Sequence, residues 1–280
     1  MPEIKPIEEL EYSDDFMFHQ VMKDDKICIG VLERLLKIKI DHIERVELEK
    51  PIKPYYQSKS VRLDVYIKDS DRVFDIEMQT KNYDNLPCRV RYYQSMIDVN
   101  ALLKGQKYEQ LNESFIIFIC KEDPVGRNFP IYTYLETCQE DKTLLLNDRT
   151  HKYFFNAEAA DDVKDVELRA FLNYIKTGTA SDEFTNRIDS IVEEVKHNED
   201  VKELYLFESI VIQDAKSEGR AEGLVEGRAE GLIEGAQKKA TETAQNMLNE
   251  NISVETVARC STLPLEKVLE LKEQLKTAKQ

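Results

Sequence analysis

Two strictly alternating stretches, VRLDVYI (61–67) and RVFDIEMQ (72–79), stand four residues apart. Successive side chains on a strand point to opposite faces, so each stretch predicts a strand with one apolar side. The intervening KDSD (68–71) is turn chemistry, and the three pieces predict a β-hairpin. Val61, Leu63, Val65 and Ile67 share one face of the first strand, and Phe74, Ile76 and Met78 share one face of the second. Asp64 lies on the opposite face of the first strand, and Asp75, Glu77 and Gln79 on that of the second.

That polar row has two readings. It is the wet face of an ordinary antiparallel pair, or it holds a hard divalent cation, which takes oxygen ligands. An even loop, closed by a pair such as Lys68 with Asp71, sets Asp64 opposite Asp75. Glu77 is then the diagonal neighbour, with Cβ atoms roughly 7 Å apart. An odd loop puts the acids on opposite faces and ends the metal reading.

Helical periodicity surrounds the hairpin. Ser13 reads as the start of a helix through SDDFMFHQVM. DKICIGVLERLLKI sets Ile29, Leu32, Leu35 and Leu36 at helical spacing. After the hairpin, Pro87 opens and Gly105 closes a helix striped by Val90, Tyr93, Ile97 and Leu102. SFIIFIC (114–120) is the continuous apolar run of a strand covered on both faces, and PIYTYLETC (130–138) predicts a further strand. The order helix, hairpin, helix, strand predicts an α/β sandwich with a mixed sheet, ending near residue 157.

The remainder is helical in pattern. VKDVELRAFLNYIKTG and EFTNRIDSIVEEVKHN are separated at Gly178. A charged eight-residue repeat then starts at Glu218, Glu226 and Glu234, with glycine at every fourth position from Gly219 to Gly235. Eight residues slightly exceed two helical turns, so these glycines would form a drifting stripe. Each costs a helix roughly 1 kcal/mol. The segment is therefore either a helix supported by a closely packed partner or a mobile charged linker. The tail, ISVETVARCSTLPLEKV and its flanks, reads as a helical hairpin. A DNA-reading helix is basic at its N-terminal end, whereas here Glu266 and Glu270 face Lys267 and Lys272. Homo-oligomerisation is one use that fits. The expected divisions are 1–157, 158–213, 214–240 and 241–280.

Composition excludes several classes. The longest apolar run is about FIIFIC, far short of the roughly 20 residues of a membrane span. MPEIKPIEELEY lacks the basic and apolar regions of a secretory leader, so a cytoplasmic protein is expected. Five scattered cysteines without C-x-x-C predict reduced thiols rather than a disulfide framework, and four scattered histidines give no zinc signature. The net charge of −15 argues against nucleic acid. Net charge is a poor guide to a local surface, however. From Lys50 to Arg72 there are six basic residues against three acidic ones.

The ordered set SDDFMF, RLDV, FDIEMQ, RVRYY and a Gly-Glu-rich C-terminal helix resembles the PD-(D/E)XK nuclease superfamily, and within it the transposase-like, recombination-promoting nucleases. The likeness is best from residue 13 to 135. It implies a restriction-endonuclease-like α/β core, αβββαβ with a mixed sheet flanked by helices, followed by an all-helical C-terminal region. It also implies a Mg²⁺-dependent DNA endonuclease of low sequence specificity, with Mn²⁺ as a possible substitute and a role in recombination, mobile elements or defence.

Residue by residue, the resemblance makes Asp64 and Glu77 the metal-binding acids, with the Met78 backbone carbonyl as a third ligand. The ion would activate a water and neutralise the scissile phosphate. Gln79 stands where the superfamily has lysine. Glutamine carries no charge and is no general base, so it orients water or lends an oxygen to the metal. Arg89 and Arg91 are placed to supply the missing positive charge to phosphate. Asp15 and Asp75 are additional candidate acids. The rival reading is a catalytically inactive nuclease fold serving as an interaction or oligomerisation module; a second rival is an enzyme acting on RNA.

Overall fold

The computed structural model describes residues 4–40, 42–52 and 59–277. Lys53, part of the basic stretch, lies outside the described residues. The chain divides into two compact units, Met1–Leu206 and Phe207–Gln280.

In the first unit, helices α1 (Asp15–Val21) and α2 (Asp25–Leu36) precede the sheet. The Asp24 carboxylate caps α2, accepting the N–H groups of Lys26 at 2.8 Å and Ile27 at 3.3 Å. The cap residue of α1 is Asp14 rather than Ser13. Asp14 turns its carboxylate back to the Glu11 N–H at 2.7 Å, which leaves it unable to cap a helical N–H.

Strands β1 (Arg45–Ile52), β2 (Val61–Asp69) and β3 (Arg72–Gln79) form an antiparallel meander. Helix α3 (Leu86–Ala101) then crosses over to β4 (Glu113–Cys120), which pairs parallel to β3. The αβββαβ order is therefore present. β6 (Thr150–Asn156) adds parallel to β4, and the short β5 (Ile131–Tyr134) pairs antiparallel on the outer edge, giving the order β1-β2-β3-β4-β6-β5. The sheet is mixed and flanked by helices.

The run SFIIFIC sits at the centre of this sheet and is covered on both faces. Phe115, Ile117 and Ile119 join the core built by α1 and α2 together with helices α4 (Val166–Thr177) and α5 (Glu183–His197). Ile116, Phe118 and Cys120 point the other way, to the core under α3 with Leu86, Val90 and Ile97. Strict alternation on β4 thus assigns the two cores to opposite sides of the sheet. Gly30 on α2 is one close approach that needs glycine: an added Cβ would stand 2.2 Å from the Phe184 ring of α5.

Three sequence expectations are corrected. Val61 and Leu63 belong to the α3-side core, whereas Val65 and Ile67 belong to the opposite one, so β2 does not keep a single apolar face. The switch falls at Asp64. Its would-be partner Glu49 takes a left-handed φ of 50° and drops out of the β1–β2 register, which runs Leu48↔Val65 and resumes at Lys50↔Leu63. The strand in PIYTYLETC ends at Tyr134 and is followed only by an isolated Thr137↔Leu145 bridge. Helix α3 ends at Ala101, and Gly105 lies beyond it in a turn at φ 91°.

Helix α6 (Glu199–Asn249) carries the Gly-Glu repeat as continuous helix. In the second unit, its C-terminal turns pack with α7 (Val254–Ser261) and α8 (Leu265–Thr277) around Ala244, Val257, Val268 and Leu271. No helix among the described residues is long and apolar enough to cross a membrane.

Candidate functional site

The hairpin turn consists of Ser70 and Asp71, with Ser70 at φ 49° and Asp69 paired with Arg72. The loop is even, but the register differs by one pair from a Lys68–Asp71 closure. Tyr66 lies opposite Asp75, and the same register carries Asp64 directly opposite Glu77. The ladder stops at Val65↔Ile76. Beyond it each carboxylate reaches across to the other strand's backbone. The Asp64 N–H donates to Glu77 Oε1 at 2.9 Å, and the Met78 N–H donates to Asp64 Oδ2 at 3.2 Å. The face switch on β2 and the loss of ladder pairing coincide, which turns the Asp64 carboxylate toward β3.

The polar face of β3 is not wet. Asp75, Glu77 and Gln79 are 0%, 2% and 7% exposed, because α3 covers them. From that helix Arg89 enters the acidic row. Its Nη1 donates to Gln79 Oε1 at 2.8 Å, and its Nη2 approaches Glu77 Oε2 at 3.3 Å and the Tyr93 hydroxyl at 3.1 Å. The Gln79 Nε2 donates to the Lys81 carbonyl at 2.5 Å, which fixes the amide with its oxygen toward Arg89. Arg91, two residues on, is exposed instead.

The electrostatics follow from this packing. Burial, then the charge of Asp15, push the Asp64 carboxyl up to about 7. Burial and the neighbouring acids raise Asp75 and Glu77 well above the ordinary carboxylate range. Arg89 offsets part of this charge. Among the described residues both oxygens of Asp75 are buried without a well-formed hydrogen bond, the Glu77 carboxyl being the neighbouring polar group. Buried carboxylates with unfilled lone pairs call for a cation.

A second group approaches from α1. Asp15 and His19 stand one helical turn apart and face Asp64. His19 Nε2 lies 3.8 Å from Asp15 Oδ1 and 3.9 Å from Asp64 Oδ1, and one ligand atom from each of the three residues lies within 4.8 Å of the others. Asp15 was expected as an additional acid; His19 was not singled out. The signal available was the D-x-x-x-H spacing of Asp15 and His19 on one helix face. Burial lowers the His19 pKa despite the nearby Asp15 and Glu49, favouring neutral imidazole.

These donors fit a divalent cation. Asp64 offers Oδ1 beyond its bond to Met78, and Asp15 offers an exposed carboxylate. Glu77 is bonded to the Asp64 N–H and to Arg89, so its oxygens serve the site partly through those groups. The Met78 backbone is tied in through its N–H, while its side chain packs on the core beneath α1 and α2.

Beside the acids, on the α3 side, lies a cleft lined by Lys59, Arg62, Arg89, Arg91, Tyr92 and Tyr93. The Tyr92 hydroxyl donates to the Lys59 carbonyl at 2.7 Å and joins α3 to the segment before β2. Not all of the basic stretch is available to a ligand. Lys50 pairs with Glu47, Arg62 with Glu49, Lys68 with Glu44 and Arg72 with Asp69. Among the described residues neither Arg91 nor Lys59 enters an ion pair, which leaves both as open cations of the cleft.

The family model described as PD-(D/E)XK nuclease family transposase matches residues 13–157, the segment that carries α1, the whole sheet and α3. No curated protein and no solved structure gives a significant match. With more than half its length covered by that model, the chain belongs to the PD-(D/E)XK nuclease family transposases.

Proposed function

We propose that this protein is a divalent-metal-dependent DNA endonuclease that hydrolyses phosphodiester bonds with little sequence preference. The observation that carries this reading is the pairing of Asp64 and Glu77 across the β2–β3 hairpin, with Arg89 held against both Glu77 and Gln79. Asp64 and Glu77 would hold the divalent ion, Mg²⁺ or Mn²⁺, with the Met78 carbonyl as a further ligand. Asp15 and Asp75 are supporting acids. When bound, the ion supplies Lewis acidity toward the attacking water and the scissile phosphate.

The chain's own residues do the rest. Gln79 acts through its oxygen, which orients Arg89; the guanidinium takes the place of the superfamily's lysine and stabilises charge on phosphate. Arg91, with Lys59 and the aromatic rings of Tyr92 and Tyr93, receives the nucleic-acid backbone in the cleft. Affinity then rests on phosphate contacts and falls with salt. The helices after residue 206 support self-association in this reading, since Leu224, Val225, Leu232 and Ile233 on α6 are all more than half exposed.

Incubating plasmid with the purified chain, with and without Mg²⁺ or Mn²⁺, tests the reading. Nicking should need the metal and disappear in Asp64→Ala and Glu77→Ala. Metal-dependent nicking that survives both substitutions sinks the site. No nicking under any condition favours the inactive, interaction-module reading, and cleavage of RNA but not DNA in the same preparation reassigns the substrate.

A further inference from the structure

His19 is the one buried side chain on α1 whose polar atom aims at the acidic site without a partner. Its side chain is 8% exposed, and Nε2 is buried and unbonded among the described residues. The two carboxylate oxygens it faces, at 3.8 and 3.9 Å, are too far for hydrogen bonds. A point equidistant from three atoms so spaced lies no more than about 2.5 Å from each, within the range of bonds from divalent ions to nitrogen or oxygen. The other ring nitrogen, Nδ1, faces Glu49 Oε1 at 3.9 Å, and Arg62 holds that glutamate at 2.9 Å. At that distance Nδ1 makes no hydrogen bond to the carboxylate.

The geometry points to a mixed nitrogen and oxygen metal site, Asp15–His19–Asp64, in which His19 Nε2 is a direct ligand and biases the protein toward Mn²⁺ or a later first-row ion over Mg²⁺. The inference rests on the reading of Asp64 as a metal ligand and adds two ligands from α1. Mg²⁺ demands oxygen and dehydrates reluctantly, whereas imidazole suits transition ions. Asp64 bridges the two halves of the site: Oδ2 is fixed by the Met78 N–H, and Oδ1 is left for the ion.

The test is binding, followed on the full-length chain with Mn²⁺ alone. Mn²⁺ bound to the wild type should show nitrogen coupling in pulsed electron paramagnetic resonance. His19→Gln should remove that coupling and weaken Mn²⁺ by about tenfold or more in calorimetry, with a smaller loss for Mg²⁺. His19→Glu should keep divalent affinity, lack the nitrogen signal and lose the preference for Mn²⁺; it also guards against a misfolded glutamine variant, as does circular dichroism of each protein. Mn²⁺ that binds the wild type without nitrogen coupling, or coupling that persists in His19→Gln, overturns the role of His19 alone if Asp64→Ala still abolishes binding. A wild type that binds no Mn²⁺ overturns this site and the metal reading of Asp64 together.

Discussion

Arg89 Nη1 donates to Gln79 Oε1 at 2.8 Å, so the residue proposed to stand where the superfamily has lysine is bonded to the cation proposed to do lysine's work. A lysine at position 79 would meet Arg89 head on. Gln79→Lys should therefore lower metal-dependent nicking rather than raise it, and Arg89→Gln should lower it by about 10²-fold, as for loss of one charge-stabilising donor. The double variant Gln79→Lys/Arg89→Gln returns one cation and one amide to the same pair. It should recover at least about tenfold over either single change, the size of coupling expected between contacting groups. Strictly additive losses in this cycle would separate Gln79 from Arg89 in function.

The acidic cluster makes metal-free stability depend on pH in a stated direction. Asp64 titrates at about 7 when folded against an ordinary value of 3.8, so the folded chain keeps a proton that the unfolded chain has lost. Stability from that proton is complete below about 4 and is lost as pH rises toward 7. His19 shifts the opposite way, so the comparison is made against Asp64→Asn, which retains His19. In chelator, the melting temperature of wild type should fall relative to Asp64→Asn between pH 4 and 7 and run level above it. Saturating Mn²⁺ should raise the wild type and not the variant. A gap that does not vary with pH would mean the Asp64 carboxyl is not displaced upward.

The open position of Arg91 predicts a phosphate contact that is blind to sequence. Arg91→Ala should weaken binding to duplexes of unrelated sequence by the same factor. It should also reduce the slope of log affinity against log salt by about 1, the signature of one lost counterion release. Filter binding or fluorescence anisotropy at several salt concentrations measures both. An effect confined to one sequence would make Arg91 a reader of bases.

Much of this architecture is legible in the sequence, for identifiable reasons. Period-two alternation marked β2 and β3, and the unbroken run in β4 marked a strand with cover on both faces. β1 carried no such mark, because Glu47, Glu49, Lys50 and Pro51 belong to an edge strand, where proline and charge are tolerated. β6 mixes His151 and Lys152 with aromatic residues and shows no clean period. The face switch at Asp64 depends on a left-handed Glu49, which nothing in a run of Glu and Lys announces. In the candidate site, alternation placed Asp64, Asp75 and Glu77 on one polar row, yet period alone does not say what covers a row. Helix α3 covers it, which turns a solvated face into a buried acidic cluster. His19 gains meaning only when tertiary packing sets α1 beside β2.

The glycine stripe of α6 yields a prediction opposite in sign to that for Gly30. Apart from the helix's own backbone, a Cβ built on Gly219, Gly223, Gly227, Gly231 or Gly235 meets no atom of the described residues within 4 Å, and all five lie inside the helix Glu199–Asn249. Alanine at such positions loses nothing in packing and removes the backbone freedom that glycine brings to the unfolded chain. Each substitution should stabilise the local helix by about 0.5 to 1 kcal/mol. Hydrogen exchange reads this directly: amides around Gly223→Ala and Gly227→Ala should slow about two- to fivefold per substitution, with the nuclease-family segment unchanged. Gly30→Ala should do the reverse and lower the melting temperature, because its new methyl would stand 2.2 Å from the Phe184 ring. Slower exchange is the outcome for a stripe that packs against nothing. Faster exchange around Gly223→Ala and Gly227→Ala would mean that a second helix lies on the stripe and needs the space that glycine leaves.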